Sequence, residues 1–103
     1  MIACLIEFAV EPGREAEHAD WLARLLPKVA GQSGFISKET FDSLNTPGRL
    51  LTVSYWNDAA GLEGWMRDPD HRDAMRAGRN GIFSFYRIRI CEVQREYGFD
   101  GKT

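Results

Sequence analysis

The first strand-like segment places the strongest constraint on what this chain can fold into. Residues Ile2 to Val10 are apolar except for Glu7, and Glu11-Pro12-Gly13 ends the segment. A strand with apolar side chains on both alternating faces is typical of the centre of a sheet that is covered on both sides. The sequence therefore predicts that this strand lies inside a sheet and that the rest of the chain packs around it.

A helix is predicted directly after this strand. From Arg14 onward, apolar residues recur at helical spacing. These positions are Ala19, Leu22, Ala23, Leu26 and Val29. Pro27 lacks a backbone N–H and its ring clashes with the preceding turn, so we expect the helix to kink or end near Leu26. Gly31 to Gly34 then closes the segment.

The middle of the chain reads as a β-hairpin. Residues Phe35 to Leu44 alternate well enough for a second strand, which is more exposed than the first. Asn45-Thr46-Pro47-Gly48 is a strong turn signal, and Arg49 to Trp56 follows as a third strand. These two strands are therefore expected to pair with each other.

Two short helices are predicted after the hairpin. Asn57 or Asp58 can cap the first, which carries Leu62, Trp65 and Met66 on one face. Asp68-Pro69 has the pattern of a new N-cap with proline at the first helical position. The second helix is expected to run from Asp70 to about Asn80, with Gly81 at its end.

A long final strand, Phe85 to Tyr97, completes the pattern. Bulky side chains occupy both of its faces, with Phe85, Cys91 and Val93 on one and Tyr86, Ile88 and Ile90 on the other. The order βαββααβ predicts a ferredoxin-like α+β fold with a four-stranded antiparallel sheet and helices on one face. Because the helices cover one face alone, a second copy is expected to cover the other.

Length and charge bound the organisation of the chain. Its 103 residues suffice for one domain, 1–103, and we expect a frayed tail at about 98–103. The net charge of −2 gives no electrostatic reason to expect nucleic acid or an anionic membrane as a partner. No apolar run is long enough for a membrane span, and no signal-peptide pattern precedes Ile2, so the cytoplasm is the expected location.

Metal and nucleotide sites are not predicted. Cys4 and Cys91 lie in predicted strands, where buried free thiols are the expectation, and a zinc site needs more ligands at closer spacing. No Gly-rich loop follows a strand and opens a helix with the spacing that binds phosphates. We therefore expect neither a metal nor a nucleotide cofactor.

His71 and Trp65 are the main candidates for chemistry. His71 would be the third residue of its helix and share a face with Ala74, Met75 and Gly78, which should look toward the sheet. It is either a general base for a phenol or a histidine at a helix start that bonds Asp68 or backbone. Trp65 either stacks on a flat ligand and donates its indole N–H, or packs in the core.

Charged residues supply further candidates with alternatives left open. Arg72, Arg76 and Arg79 form a row that favours a solvated face, although Arg79 could turn inward to hold a carboxylate or enolate. Glu7 is either an ion-pair partner for Arg87 or Arg89, or an acid in the ligand pocket. His18 could face the same pocket, but a surface position is more common.

The stretch from Trp56-Asn57-Asp58 to Trp65, together with His71, Arg79 and the terminal Phe85-Tyr86-Arg87-Ile88 strand, resembles the antibiotic biosynthesis monooxygenase family. The resemblance covers nearly the whole chain and implies a homodimer, paired through the sheet faces into a dimeric α/β barrel. It implies a cofactor-independent monooxygenase that acts on a planar phenolic or quinol-type molecule. The implied site has His71 and Trp65 as catalytic residues. The expected substrate-binding residues are Tyr86, Arg79, Met75 and Glu7.

Other activities in the same family remain as alternatives. The haem-degrading branch pairs a tryptophan with an asparagine and a histidine, and here Trp65 matches, whereas Glu7 takes the asparagine position and Ala74 or Met75 the histidine position. Haem degradation is therefore disfavoured. A non-catalytic binding or accessory protein of the same fold is a second alternative, and it requires none of these residues. An isomerase of a small carbonyl compound would need His71 opposed by Glu7 or His18.

Overall fold

The computed structural model describes residues 1–101, and within them the fold is the predicted ferredoxin-like α+β arrangement. The sheet has the order β2-β3-β1-β4, all pairs are antiparallel, and it is not closed. The strands are β1 Ile2–Val10, β2 Phe35–Asp42, β3 Leu50–Trp56 and β4 Phe83–Glu92. The helices are α1 Glu15–Ala30, α2 Ala59–Met66 and α3 Pro69–Ala77, and a π-helical turn, Gly78–Ile82, follows α3.

The strand β1 lies at the centre of the sheet, between β3 and β4, as its apolar sequence predicts. Its even-numbered side chains face the helices, and Cys4 and Phe8 are buried there. The odd-numbered side chains, which include Leu5 and Glu7, lie on the face that no helix of the described chain covers. We call this uncovered face of the sheet the open face.

Trp56 is the centre of the hydrophobic core. Its side chain is 1% exposed, and its indole N–H donates to the Ser54 hydroxyl oxygen at 3.0 Å. Phe35 meets the Trp56 ring edge-on, with 5.3 Å between ring centroids. The other buried members of this core are Cys4, Leu25, Val29, Leu62 and Trp65.

Of the two effects expected at Pro27, a kink or an end of the helix, the end does not occur, because α1 continues through Pro27 to Ala30. Leu25 and Val29 are its buried residues, whereas Leu26 is half exposed. Proline inside a helix costs about 3 kcal/mol. Burial of Val29 beyond the proline holds the last turn in place and offsets that cost.

The strand β4 begins and ends earlier than expected, at Phe83 and Glu92 instead of Phe85 and Tyr97. Gly81, at φ +127°, turns the chain back toward the sheet just before the strand begins. At the other end, Glu92 pairs with Ile2, so β1 offers no partner beyond it. Residues 93–101 have no regular secondary structure, and the rest of the predicted 98–103 tail lies outside the described residues.

The two cysteines lie on neighbouring strands but on opposite faces of the sheet. Cys4 pairs with Ile90, while Cys91 pairs with Ala3. Both thiols are free, Cys4 is buried and Cys91 is exposed, so the expectation of two buried thiols is wrong for Cys91. Cys91 shares the open face with Ala3, its partner on β1, and no helix of the described chain covers that face. In the part of the chain that is described, no helix has the length and apolar content to cross a membrane.

Two glycines of α2 provide a matched test of its packing. A Cβ on Gly61 would lie 2.7 Å from the Ser33 carbonyl oxygen and 3.2 Å from the Gly34 Cα, which are both backbone atoms. A Cβ on Gly64 would lie 2.9 Å from the end of the flexible Gln32 side chain. The first contact forces the backbone to move, whereas the second needs a change of rotamer alone.

We expect Gly61→Ala to lower the free energy of unfolding by about 1–3 kcal/mol through overpacking. Gly64→Ala should leave it unchanged or raise it by up to about 1 kcal/mol, since alanine is the better helix former. Urea denaturation followed by circular dichroism measures both. Equal effects of the two substitutions would show that α2 does not rest on the 33–34 backbone.

Candidate functional site

A cavity of about 390 Å³ lies between the helices and the helix-facing side of the sheet. Its volume is in the range of small-molecule sites. Thr52 and Ser54 on β3 form part of its floor, and they are too short to fill the space between sheet and helices. Met66, Met75 and Phe83 line the cavity and leave it open.

The start of α3 brings His71 against Trp65. The Asp68 carboxylate caps this helix by accepting hydrogen bonds from the backbone N–H of Asp70 at 2.9 Å and of His71 at 3.1 Å, and Pro69 takes the first helical position. The imidazole of His71 lies 4.7 Å from the Trp65 ring, centroid to centroid. Both side chains line the cavity, and Trp65 is buried.

The electrostatic environment of His71 favours the neutral form of its imidazole. Burial lowers the pKa of His71, the Asp68 carboxylate opposes this, and the charge of Lys38 adds to the lowering. Its Nδ1 atom is buried and, within residues 1–101, makes no hydrogen bond. The backbone N–H of His71, and not its ring, bonds Asp68, so the ring nitrogen is left without a partner. An unpaired buried polar group of this kind costs about 1–3 kcal/mol of stability.

An aromatic cluster forms a second wall of the cavity and contains His18. The His18 ring lies 5.5 Å from Phe8 and 5.6 Å from Phe83, and Phe83 lies 6.2 Å from Tyr86. Burial lowers the pKa of His18, and the charge of Lys38 lowers it further. Of the two positions that the sequence leaves open for His18, the structure has the one in the cavity.

Lys38 is the cavity residue that sequence reasoning missed. A bulge between Phe35 and Ser37 shifts the alternation of β2, so Phe35 pairs with Trp56 and Lys38 with Ser54, both on the helix-facing side. Without the bulge, Lys38 would lie on the face opposite to Phe35. Lys38 is half-buried, and burial lowers its pKa. The two adjacent apolar residues Phe35 and Ile36 interrupt the alternation of the strand, and they are the sequence signal that could have revealed the shift.

The remaining predicted residues divide between the cavity and the open face. Met75 and Tyr86 line the cavity, and the exposed arginines Arg72, Arg76 and Arg79 border it. The arginine row is thus solvated, as expected, yet close enough to the cavity for a bound molecule to meet it.

Glu7 does not line the cavity, which corrects its assignment as a substrate-binding residue. It lies on the open face, because the odd-numbered side chains of β1 point away from the helices. There its carboxylate accepts a hydrogen bond from Arg89 at 2.7 Å and forms an ion pair with Arg49 at 3.6 Å. Arg49 also lies over the Phe85 ring, 4.1 Å from its centroid. The ion-pair interpretation of Glu7 is therefore the one that the structure supports.

The cavity combines aromatic walls with basic side chains. Among the described residues that line it, none is aspartate or glutamate. Within residues 1–101, no three His, Cys, Asp or Glu side chains come together in a way that could hold a metal ion. The arrangement can stack a flat ring, accept a proton at an imidazole and balance negative charge.

Sequence comparison relates this chain to one protein family. The family model for antibiotic biosynthesis monooxygenase matches residues 1–77. Jasmonate monooxygenase ABM of Pyricularia oryzae is 30% identical over 93 residues, which cover 90% of this chain and 43% of that protein. The uncharacterized protein YqjZ of Bacillus subtilis is 26% identical over 95 residues, 92% of this chain and 82% of that protein. This chain thus spans less than half the length of the jasmonate monooxygenase.

Comparison with solved structures supports the same fold. A crystal structure from Deinococcus radiodurans matches with a TM-score of 0.83 at 15% identity, over 98% of this chain and 100% of that one. A mutant of SnoaB, a cofactor-independent oxygenase from Streptomyces nogalater, matches with a TM-score of 0.76 at 17% identity, over 92% of this chain and 94% of that one. At these identities the likeness concerns the fold alone.

The lowered pKa values of His18 and His71 predict how stability depends on pH. Both imidazoles bind protons less tightly in the folded than in the unfolded chain. The stability of the folded chain is therefore not reduced by their titration above the unfolded pKa of about 6.5, and it falls as the pH drops through that value toward the folded pKa. We expect the free energy of unfolding to fall between about pH 7.5 and about pH 5.5. Urea titrations at the two pH values measure the change.

Substitution separates the two contributions. His71→Gln and His18→Gln should each reduce the loss of stability over this pH range, and the double variant should reduce it most. The carboxylates contribute little in this window, since their ordinary pKa values lie near 4. A double variant with the same pH dependence as the wild type would contradict the assignment.

Proposed function

The chain belongs to the antibiotic biosynthesis monooxygenase family, and on that premise we propose that it is a cofactor-independent monooxygenase for a planar phenolic or quinol-type substrate. One observation carries the proposal: the imidazole of His71 lies against the Trp65 ring and lines an apolar cavity. A neutral imidazole of this kind can accept the proton of a phenol or an enol.

The proposed reaction balances without an added reductant. His71 removes a proton from the substrate, and the resulting anion transfers one electron to O2. The two radicals combine into a peroxide anion on the ring system, which takes the proton back from His71 to give a hydroperoxide. Loss of water then leaves a carbonyl, so an anthrone methylene group and O2 give a quinone carbonyl and H2O. The chain supplies the base, the Trp65 indole N–H as a donor to the anionic oxygen, and walls that exclude water.

The family comparisons are consistent with this proposal and with its chemistry. SnoaB, which has the same fold, is described as a cofactor-independent oxygenase, and the relative from Pyricularia oryzae is described as a monooxygenase. Haem degradation stays disfavoured, because Ala74 and Met75, at the position of the haem-degrading branch's histidine, carry no imidazole.

A homodimer through the open face is part of the same proposal. This face carries a group of partly exposed apolar side chains that no element of the described chain covers. They are Leu5, Phe41, Leu51, Val53 and Tyr55. A second copy laid on this surface would bury them and join the two sheets into the α/β barrel that the family resemblance implies.

We expect the wild type to sediment as a dimer at micromolar concentration, and Val53→Glu to shift it toward the monomer by burying a charge at the interface. Leu44→Glu is the matched control, since Leu44 lies in the hairpin turn and is fully exposed. Analytical ultracentrifugation measures both. A monomeric wild type, or equal behaviour of the two variants, would contradict an interface on the open face.

Oxygen consumption tests the proposed reaction directly. Purified protein is incubated with a panel of hydroquinones and anthrones, without added metal or flavin. We expect His71→Ala to lower the rate about a hundredfold or more through loss of the base, and Trp65→Phe to lower it about tenfold through loss of one donor. His18→Ala, which removes the other imidazole of the cavity, should have a smaller effect than His71→Ala.

Absence of consumption above the uncatalysed rate would contradict the monooxygenase and favour a second candidate. His18 and His71 line the same cavity with lowered pKa values, which is an arrangement that suits an isomerase of a small carbonyl compound. Exchange of an α-proton for deuterium, without uptake of O2, would identify that activity. Absence of both reactions would favour a non-catalytic binding protein.

A further inference from the structure

Lys38 has a position that the proposed proton transfer does not use. It projects from β2 on the helix-facing side and lines the cavity beside Ser54, its partner across the strand pair. The neighbouring Thr40 hydroxyl bonds Thr52 at 2.8 Å, so the polar groups around it satisfy one another without its help. The Lys38 side chain is half-buried beside an apolar cavity, and an ammonium that loses part of its hydration there gains from pairing with an anion.

No residue of the described chain supplies that pairing. Lys28 binds both Asp68 and Asp70, Arg89 binds Glu7, and Arg14 binds Glu17, whereas Lys38 has neither an ion pair nor a hydrogen bond within residues 1–101. The residues that line the cavity include no carboxylate. The charge of Lys38 nevertheless reaches both walls, because it contributes to the lowered pKa of His18 and of His71. An anion inside the cavity would therefore meet Lys38 on the sheet side, whereas Arg72 and Arg79 border the cavity from the helix side.

We propose that Lys38 determines the specificity of the cavity by binding an anionic oxygen, carboxylate or phenolate, of a flat apolar ligand. The aromatic walls formed by Trp65 and Phe83 suit the ring system of such a ligand, and the ammonium suits its charged end. The inference rests on the proposed function in taking the cavity as the substrate site. It adds that the preferred substrate is an acid or is bound in its ionised form.

Two pairs of probes distinguish the two sources of the anion. 2-Naphthoate is compared with 2-naphthamide, its neutral isostere, and a nitronaphthol that is ionised at neutral pH is compared with its methyl ether. Isothermal titration calorimetry gives the Kd of each probe for the full chain. We expect the wild type to bind the anionic member of at least one pair about tenfold more tightly or better than the neutral member.

Substitution assigns the preference to one cation. Lys38→Met should abolish it with little change in the affinity for the neutral probe, and Lys38→Arg should retain most of it. Arg79→Met is the matched control, since it removes a positive charge that borders the same cavity. Because Lys38→Met removes an unpaired half-buried charge, it should unfold at the same or a higher urea concentration than the wild type.

Several outcomes overturn the inference. Equal affinity of the wild type for both members of each pair contradicts it, and so does a preference that survives Lys38→Met or is lost in Arg79→Met instead. These measurements need no turnover, so failure of the oxygen-consumption test would leave them standing. Conversely, if the chain is an active oxygenase but has no preference for anions, the proposed role of Lys38 is contradicted and the proposed function is not.

Discussion

The packing around Trp56 determines how the helices lie on the sheet. Trp56 ends β3, is almost fully buried, and bonds Ser54 through its indole N–H. A Cβ on Gly61 of α2 would lie 3.5 Å from this ring, and the Gly61 N–H donates to the Asp58 side chain that caps the helix. The large ring fixes the distance between α2 and the sheet. The short side chains of Thr52 and Ser54, further along β3, cannot fill the gap that this distance creates, and the cavity is the result.

The parts of the fold that local chemistry determines could be predicted from the sequence. The apolar sequence of β1 predicted its central position in the sheet. The Asp68-Pro69 cap predicted the start of α3, and this start places His71 in the first turn of the helix, beside Trp65. The failures have tertiary causes. Burial of Val29 carries α1 past Pro27, and β4 ends where β1 no longer offers a partner. The periodicity of the sequence indicates neither the continuation of α1 nor the end of β4.

The candidate site was predictable to the extent that residues lie on regular elements. Met75 lines the cavity, as its helix phase indicates, and Tyr86 lines it as well. Lys38 was not predicted as a cavity residue, because a bulge in β2 reverses the face toward which the following side chains point. The odd phase of Glu7 in β1 places it on the open face, but the sequence alone did not indicate which phase faces the helices. A register error of one residue is thus enough to exchange a cavity residue for a surface one.

Acidic and basic side chains are separated in this molecule, although its net charge is small. The carboxylates of Glu7, Asp68 and Asp70 pair with cations outside the cavity, while His18, His71 and Lys38 line it. Because burial favours the neutral form of both histidines, the positive charge at the cavity comes from Lys38 and from the arginines that border it. A ligand that carries or develops negative charge is therefore favoured over a neutral one of the same shape.

This separation also links the base to the anion that it would create. Burial and the charge of Lys38 lower the pKa of His71, which keeps the imidazole neutral but makes it a weaker base. Proton transfer to His71 would place an imidazolium near an ammonium, and the two would repel each other unless negative charge lies between them. The anion left on the substrate supplies that charge. Its stabilisation by both cations compensates for the low basicity of His71, so the three groups can act together only when the substrate is bound.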